Sequence, residues 1–112
     1  MPVIKADDNQ LRHLIFSHEY AIVEYSSPTC EVCQALAPHF EKLSTEKAYN
    51  DIFFLTIDAE ENPIAKQFLA ERATPLMVLY HKATVLEAKT VYTIEDITTL
   101  LDKLLVGKNQ GE

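Results

Sequence analysis

No run of the sequence approaches the roughly 20 apolar residues that a bilayer-crossing helix needs, so a transmembrane helix is excluded. The first eight residues, Met1 to Asp8, carry acids and no hydrophobic segment, and a secretory signal is not expected. Basic residues are few: 10 Lys and Arg stand against 17 Asp and Glu, giving a net charge of -7. A chain of that sign is repelled by phosphate backbones and anionic membrane surfaces, so neither nucleic acid nor membrane is expected as a partner. Cysteine occurs only twice. Usage that sparse fits a reducing compartment, where a close pair serves catalysis or metal binding more often than structure, and the cytoplasm is the expected location. Internal repeats and low-complexity tracts are also absent.

What is present suffices for one domain. The chain has 112 residues, 47% of them apolar and 24% charged, enough to build a core without staples and too apolar for wholesale disorder. The domain is expected to span 1–106, followed by a short polar tail over 107–112.

Hydrophobic patterning alternates between strand and helix. Val3 to Ala6 reads as a short strand, and Asp7 or Asp8 can cap the helix that carries Leu11, Leu14 and Ile15 at helical spacing. Ala21 to Tyr25 reads as a buried strand ended by Ser26-Ser27-Pro28. A helix from about Cys30 runs through Leu36, Phe40 and Leu43, with Pro38 inside it, where a kink is expected. Ile52 to Ile57 is nearly continuous in apolar residues, as in a strand covered on both faces. Asn62-Pro63 opens another helix. Leu76 to Tyr80 and Val85 to Lys89 form a terminal hairpin whose turn, His81 to Thr84, lacks glycine and is therefore expected to be wider than the tight primed types. Thr93 and Asp96 start a last helix with Ile97, Leu100, Leu101, Leu104 and Leu105 as its apolar stripe, and Gly107 is expected to stop it. This order implies an α/β domain with a central mixed β-sheet flanked by helices on both faces.

The chemistry-bearing motif is Cys30-Glu31-Val32-Cys33, directly after a buried strand and at a helix start. Unpaired N–H groups and the positive end of the helix dipole stabilise an anion there, so the first cysteine can be a thiolate near neutral pH. The three-residue spacing puts the second sulfur on nearly the same face, close enough to resolve a mixed disulfide. Zinc is the competing reading: His39 follows the pair, and His13, His18 and His81 are also present. Structural zinc usually takes four ligands, often as a second close Cys or His pair, and none occurs here. Inert structural thiols are the third reading.

Three landmarks in order carry a family resemblance over about positions 3–106: the Cys30–Cys33 motif after a buried strand, Pro38 five residues beyond Cys33, and Thr74-Pro75 before the Leu76 strand. The chain thereby resembles the thioredoxin family. The resemblance implies a thioredoxin fold in which Pro75 is cis and faces the two sulfurs, presenting the Thr74 backbone to an extended peptide. It further implies a buried acid at Glu24 that relays a proton to or from Cys33. The lysine that the family often places near that acid corresponds to Phe54. Other departures are Thr29 in place of the tryptophan before the first cysteine, Ser26 in place of another aromatic, Glu31-Val32 in place of Gly-Pro, and Thr90 or Val91 at the glycine after the last strand. The expected function is a thiol–disulfide oxidoreductase that reduces protein disulfides through Cys30 and Cys33. Glu24 manages the proton, while Thr29, Thr74, Pro75 and Val91 dock the substrate. It would act as a monomer in cellular electron transport and redox homeostasis. Neither metal nor cofactor is expected beyond the redox-active Cys30–Cys33 disulfide, and the partners are disulfide-containing proteins and a thioredoxin reductase. The alternative is a binding or chaperone-type module of the same architecture with little redox turnover.

Overall fold

In the computed structural model, residues 2–111 are described, with side chains described as far as Val106. The elements are β1 (Ile4–Ala6), α1 (Asp8–Phe16), β2 (Tyr20–Ser26), α2 (Glu31–Ser44), β3 (Ile52–Asp58), α3 (Pro63–Leu69), β4 (Leu76–His81), β5 (Thr84–Thr90) and α4 (Ile94–Gly111), with a short 3-10 turn at Lys47–Tyr49. Five strands form one sheet in the order β1-β3-β2-β4-β5. The first three run parallel; β4 is antiparallel to β2, and β5 to β4. This is the expected mixed sheet. No helix among the described residues is long and apolar enough to cross a membrane.

Because β2 and β3 are covered on both sides, their residues divide by parity between two cores. Ala21, Val23 and Tyr25 join Phe53, Leu55 and Ile57 on the side that holds Leu11 and Ile15 of α1 and Ala65 and Leu69 of α3. Ile22 and Phe54 face the other side, against Leu36 and Phe40 of α2 and Ile97, Leu100 and Leu101 of α4. Glu24 shares the parity of Ile22 and so points toward α2, the helix that begins at the cysteines.

Local signals set most element boundaries. Asp7 caps α1 in a full capping box with Gln10, as expected of an acid at that position. Thr93 and Asp96 form the reciprocal pair at α4: the Asp96 N–H donates to Thr93 Oγ1 at 3.1 Å, and the Thr93 N–H donates to Asp96 Oδ2 at 3.2 Å. Backbone donors hold the Asp96 carboxyl below its ordinary range. The cap of α3 is supplied from a distance. Asn62 makes no side-chain cap bond there. Instead the Asp8 carboxylate accepts from the Ile64 and Ala65 N–H groups at 2.8 and 2.9 Å, tying the starts of α1 and α3 together.

Two expectations are corrected. Gly107 does not end the last helix, whose backbone is helical through Gly111; a lone glycine costs a helix only about 1 kcal/mol and stops it only by adopting a left-handed cap. The side chains of the expected 107–112 tail lie outside the described residues. The β4–β5 turn is not wide either. His81 pairs with Thr84, leaving two turn residues, and both Lys82 and Ala83 have positive φ, 49° and 67°. That is the primed geometry matching the strand twist, adopted here without glycine because pairing on both sides of the turn dictates it. The Lys82 N–H is further held by the Glu19 carbonyl at 2.7 Å.

The left-handed conformation disfavours residues carrying a Cβ. The double variant Lys82→Asn with Ala83→Gly should therefore raise unfolding free energy by about 1 kcal/mol. Urea denaturation would show this as a higher midpoint; an unchanged or lower midpoint would mean that the turn carries no strain.

Candidate active site

Strand β2 ends at Ser26, and four residues later Cys30 takes the N-cap position of α2 with extended backbone, φ -86° and ψ 107°. The Cys33 N–H donates to Cys30 Sγ at 3.0 Å. Sulfur here fills the place usually taken by a capping oxygen, so one orphan donor of the helix start points at the outer sulfur. Cys30 and Cys33 are joined as a disulfide with their Cα atoms 5.2 Å apart. Cys30 remains partly accessible, whereas Cys33 is buried one turn deeper. The outer sulfur can meet a substrate and the inner one cannot, an asymmetry suited to sequential attack and resolution.

The Thr74–Pro75 peptide bond is cis. Cys30 Sγ lies 3.4 Å from the Thr74 carbonyl oxygen, 44 residues further along the chain. Two bonds fix this loop to the end of β5. The Val91 N–H donates to the Pro75 carbonyl at 3.0 Å, and Thr90 Oγ1 donates to the Ala73 carbonyl at 2.9 Å. Of the residues the sequence assigned to docking, Thr74 is half-buried beside Cys30, Pro75 is buried, and Thr29 is exposed just before Cys30, its hydroxyl 3.1 Å from that of Ser27. Val91 differs. Its side chain is fully buried in the core shared with α4, and its N–H is already bonded, so it offers no side-chain surface to a partner. Between the two alternatives Thr90 or Val91, the half-buried residue is Thr90. The threonine that anchors the loop went unrecognised in the sequence because nothing local marks a hydroxyl as bonded to a segment 17 residues away.

Glu24 is only 4% exposed. Burial pushes its carboxyl above the ordinary carboxylate range, and a hydrogen bond from Thr56 opposes that rise. Thr56 is the direct register partner of Glu24 on β3, and its Oγ1 donates to Glu24 Oε1 at 2.9 Å. The expected match at Phe54 is thereby corrected: Thr56 stands beside the acid, while Phe54 lies opposite Ile22, fully buried with its ring 5.1 Å from that of Phe40. A cavity of about 370 Å³ opens beside the acid and is lined by Glu24, Cys33, Phe40 and Thr56, with Lys5 and Glu41 among its outer residues. The acid and the inner cysteine thus share one small space, large enough for water to connect them. His39 is exposed on α2. Among the described residues no three His, Cys, Asp or Glu side chains are grouped to hold a metal ion.

Comparison with known proteins agrees with this geometry. The family model for thioredoxin matches residues 2–104. Thioredoxin-3 of Dictyostelium discoideum is 30% identical over 81 residues, which are 70% of this chain and 73% of that protein. Protein disulfide isomerase-like 1-4 of Arabidopsis thaliana is 31% identical over 67 residues, 59% of this chain but only 11% of that much longer protein. The short form of spinach chloroplast thioredoxin f shares the fold, with a TM-score of 0.82 at 21% identity over 91% of this chain and 92% of its own. Since the matched model leaves little of the chain outside it, and the paired cysteines stand where a helix start meets a cis-proline loop, this chain belongs to the thioredoxin family and carries a thiol–disulfide oxidoreductase site.

Proposed function

We propose that the protein reduces disulfides in other proteins, acting in the cytoplasm and recharged by a thioredoxin reductase or an equivalent dithiol donor. The observation that carries this reading is the pairing of an accessible Cys30 with a buried Cys33 at the start of α2, beside the Thr74 carbonyl. In the reduced protein, the Cys33 N–H and the helix field favour the Cys30 thiolate. The thiolate attacks one sulfur of a substrate disulfide. A Cys30–substrate disulfide forms, the substrate S–S bond breaks, and the departing substrate sulfur takes a proton. Cys33 then gives its proton to the Glu24 carboxylate, directly or through water in the shared cavity. As a thiolate it attacks Cys30 Sγ, the mixed disulfide breaks, and the second substrate sulfur leaves and is protonated. The substrate gains two electrons, and the protein is left with the Cys30–Cys33 disulfide. Because burial raises its pKa, Glu24 is a stronger base than an exposed carboxylate, closer to what a thiol demands. Thr74 offers backbone to an extended substrate segment, and the exposed Thr29 next to Cys30 adds to the docking surface.

Cys30→Ser should abolish turnover in an insulin-reduction assay, while Cys33→Ser should accumulate a mixed disulfide visible by mass spectrometry under non-reducing conditions. Both variants retaining the wild-type rate would contradict the mechanism. A second expectation follows from the raised Glu24 pKa. The folded state binds this proton more tightly than the unfolded chain does, so Glu24's contribution is favourable below about 4.5 and is lost as pH rises through the folded value. Glu24→Gln removes that loss. Urea unfolding of the oxidised proteins from pH 4 to pH 8 should show the variant gaining stability over wild type as pH rises, whereas parallel curves would mean that Glu24 titrates normally.

A further inference from the structure

Among the described residues, one of the two Glu24 carboxylate oxygens has a hydrogen-bond partner and the other has none. Oε1 accepts from Thr56 Oγ1 at 2.9 Å; Oε2 is buried and unbonded by them. The same hydroxyl lies 3.5 Å from the Glu24 backbone carbonyl. A threonine hydroxyl has a single hydrogen to donate, and the shorter contact assigns it to the carboxylate. We propose that Thr56 is a positioning residue for the exchange reaction. By occupying Oε1 it fixes the Glu24 side chain in one orientation and makes Oε2 the oxygen that takes and returns the Cys33 proton. The proposal rests on the reading of Glu24 as the proton acceptor for Cys33 and deepens it.

The physical case is one of register. Thr56 is directly opposite Glu24 across the parallel β2–β3 ladder, and Lys5 is directly opposite Thr56 across β1–β3. The three side chains therefore stand in a row on one face of the sheet, all lining the cavity that Cys33 also lines. On the β4 side the neighbour of Glu24 is Met77, which neither titrates nor donates. The other charged or titratable groups facing the cavity are Lys5 from β1, Asp58 from β3, and Cys33 and Glu41 from α2. Lys5 is exposed, at the outer end of the row. Phe54 carries no donor, and among the described residues Thr56 is the side chain that bonds the acid. A donor to Oε1 stabilises the ionised carboxylate, the form able to accept a proton. Without that bond the buried acid would hold its proton to higher pH, and Cys33 would stay a thiol for longer.

The test compares wild type, Thr56→Val, Thr56→Ser and Glu24→Gln in the full chain. Two readouts are needed: the Glu24 carboxyl titration in the oxidised protein, followed by carbon NMR, and the pH profile of mixed-disulfide resolution, followed by stopped flow. Thr56→Val preserves shape and removes the donor. It should move the Glu24 titration upward and slow resolution about tenfold near neutral pH, with rates converging on wild type at high pH. Thr56→Ser should restore both. A Glu24 titration unchanged in Thr56→Val would overturn the proposal, as would a uniform slowing at every pH that serine does not rescue. If Thr56→Val moves the titration but Glu24→Gln leaves the resolution profile at wild type, Glu24 is not the base. The proposal then falls as a statement about catalysis, while the assignment of Cys30 and Cys33 stands on its own test.

Discussion

Strand β2 is hydrogen-bonded along both edges, in parallel to β3 and antiparallel to β4, and the site depends on that double constraint. It is the seam between the two halves of the sheet, so its end point fixes where the chain can leave. Cys30 follows that end by four residues. The antiparallel partner β4 begins at Leu76, opposite Tyr25 near the same end of β2, which brings the Thr74–Pro75 bond to the sulfurs from 44 residues away. Weakening the β2–β4 pairing would separate the two sulfurs from the loop that faces them without altering either local sequence.

Burial on both faces of β2 also creates the electrostatic asymmetry of the site. A carboxyl group on a central strand must lose water, and the structure compensates with one hydroxyl rather than a cation. The outer sulfur sits under opposing influences. The Cys33 N–H and the helix start favour negative charge on Cys30, while Glu31, exposed at the first helical position, places a carboxylate nearby. A single helix turn thus holds an accessible sulfur beside an exposed acid and a buried sulfur that shares a cavity with a buried acid.

Much of this was legible in the sequence because the decisive signals are local. Continuous apolar residues marked β3, Asp7 and Thr93 marked helix starts, and the dicysteine after a strand marked the site. What was not legible depends on pairing. The alternation that would place Glu24 on one face is erased when both faces are apolar; only the packing of its strand neighbours, Ile22 against α2 and Val23 and Tyr25 against the other core, shows which way it points. The tight β4–β5 turn was hidden because Lys82 and Ala83 carry no glycine signal, and strand pairing imposed the left-handed geometry. The family resemblance assigns Val91 to the docking groove, but its side chain is buried in the core shared with α4. The long-range caps, Asp8 on α3 and Thr90 on the loop before Pro75, are invisible to any window of neighbouring residues.

The central claim is that Cys30 and Cys33 act as one two-electron couple. It is tested most directly by equilibrating the protein across thiol–disulfide buffers of graded potential, quenching with an alkylating agent and counting modified cysteines by mass. The account predicts two populations only, doubly modified and unmodified, exchanging through a single midpoint that fits a two-electron transfer. A substantial singly modified species at equilibrium, or cysteines that never exchange with the buffer, would contradict it.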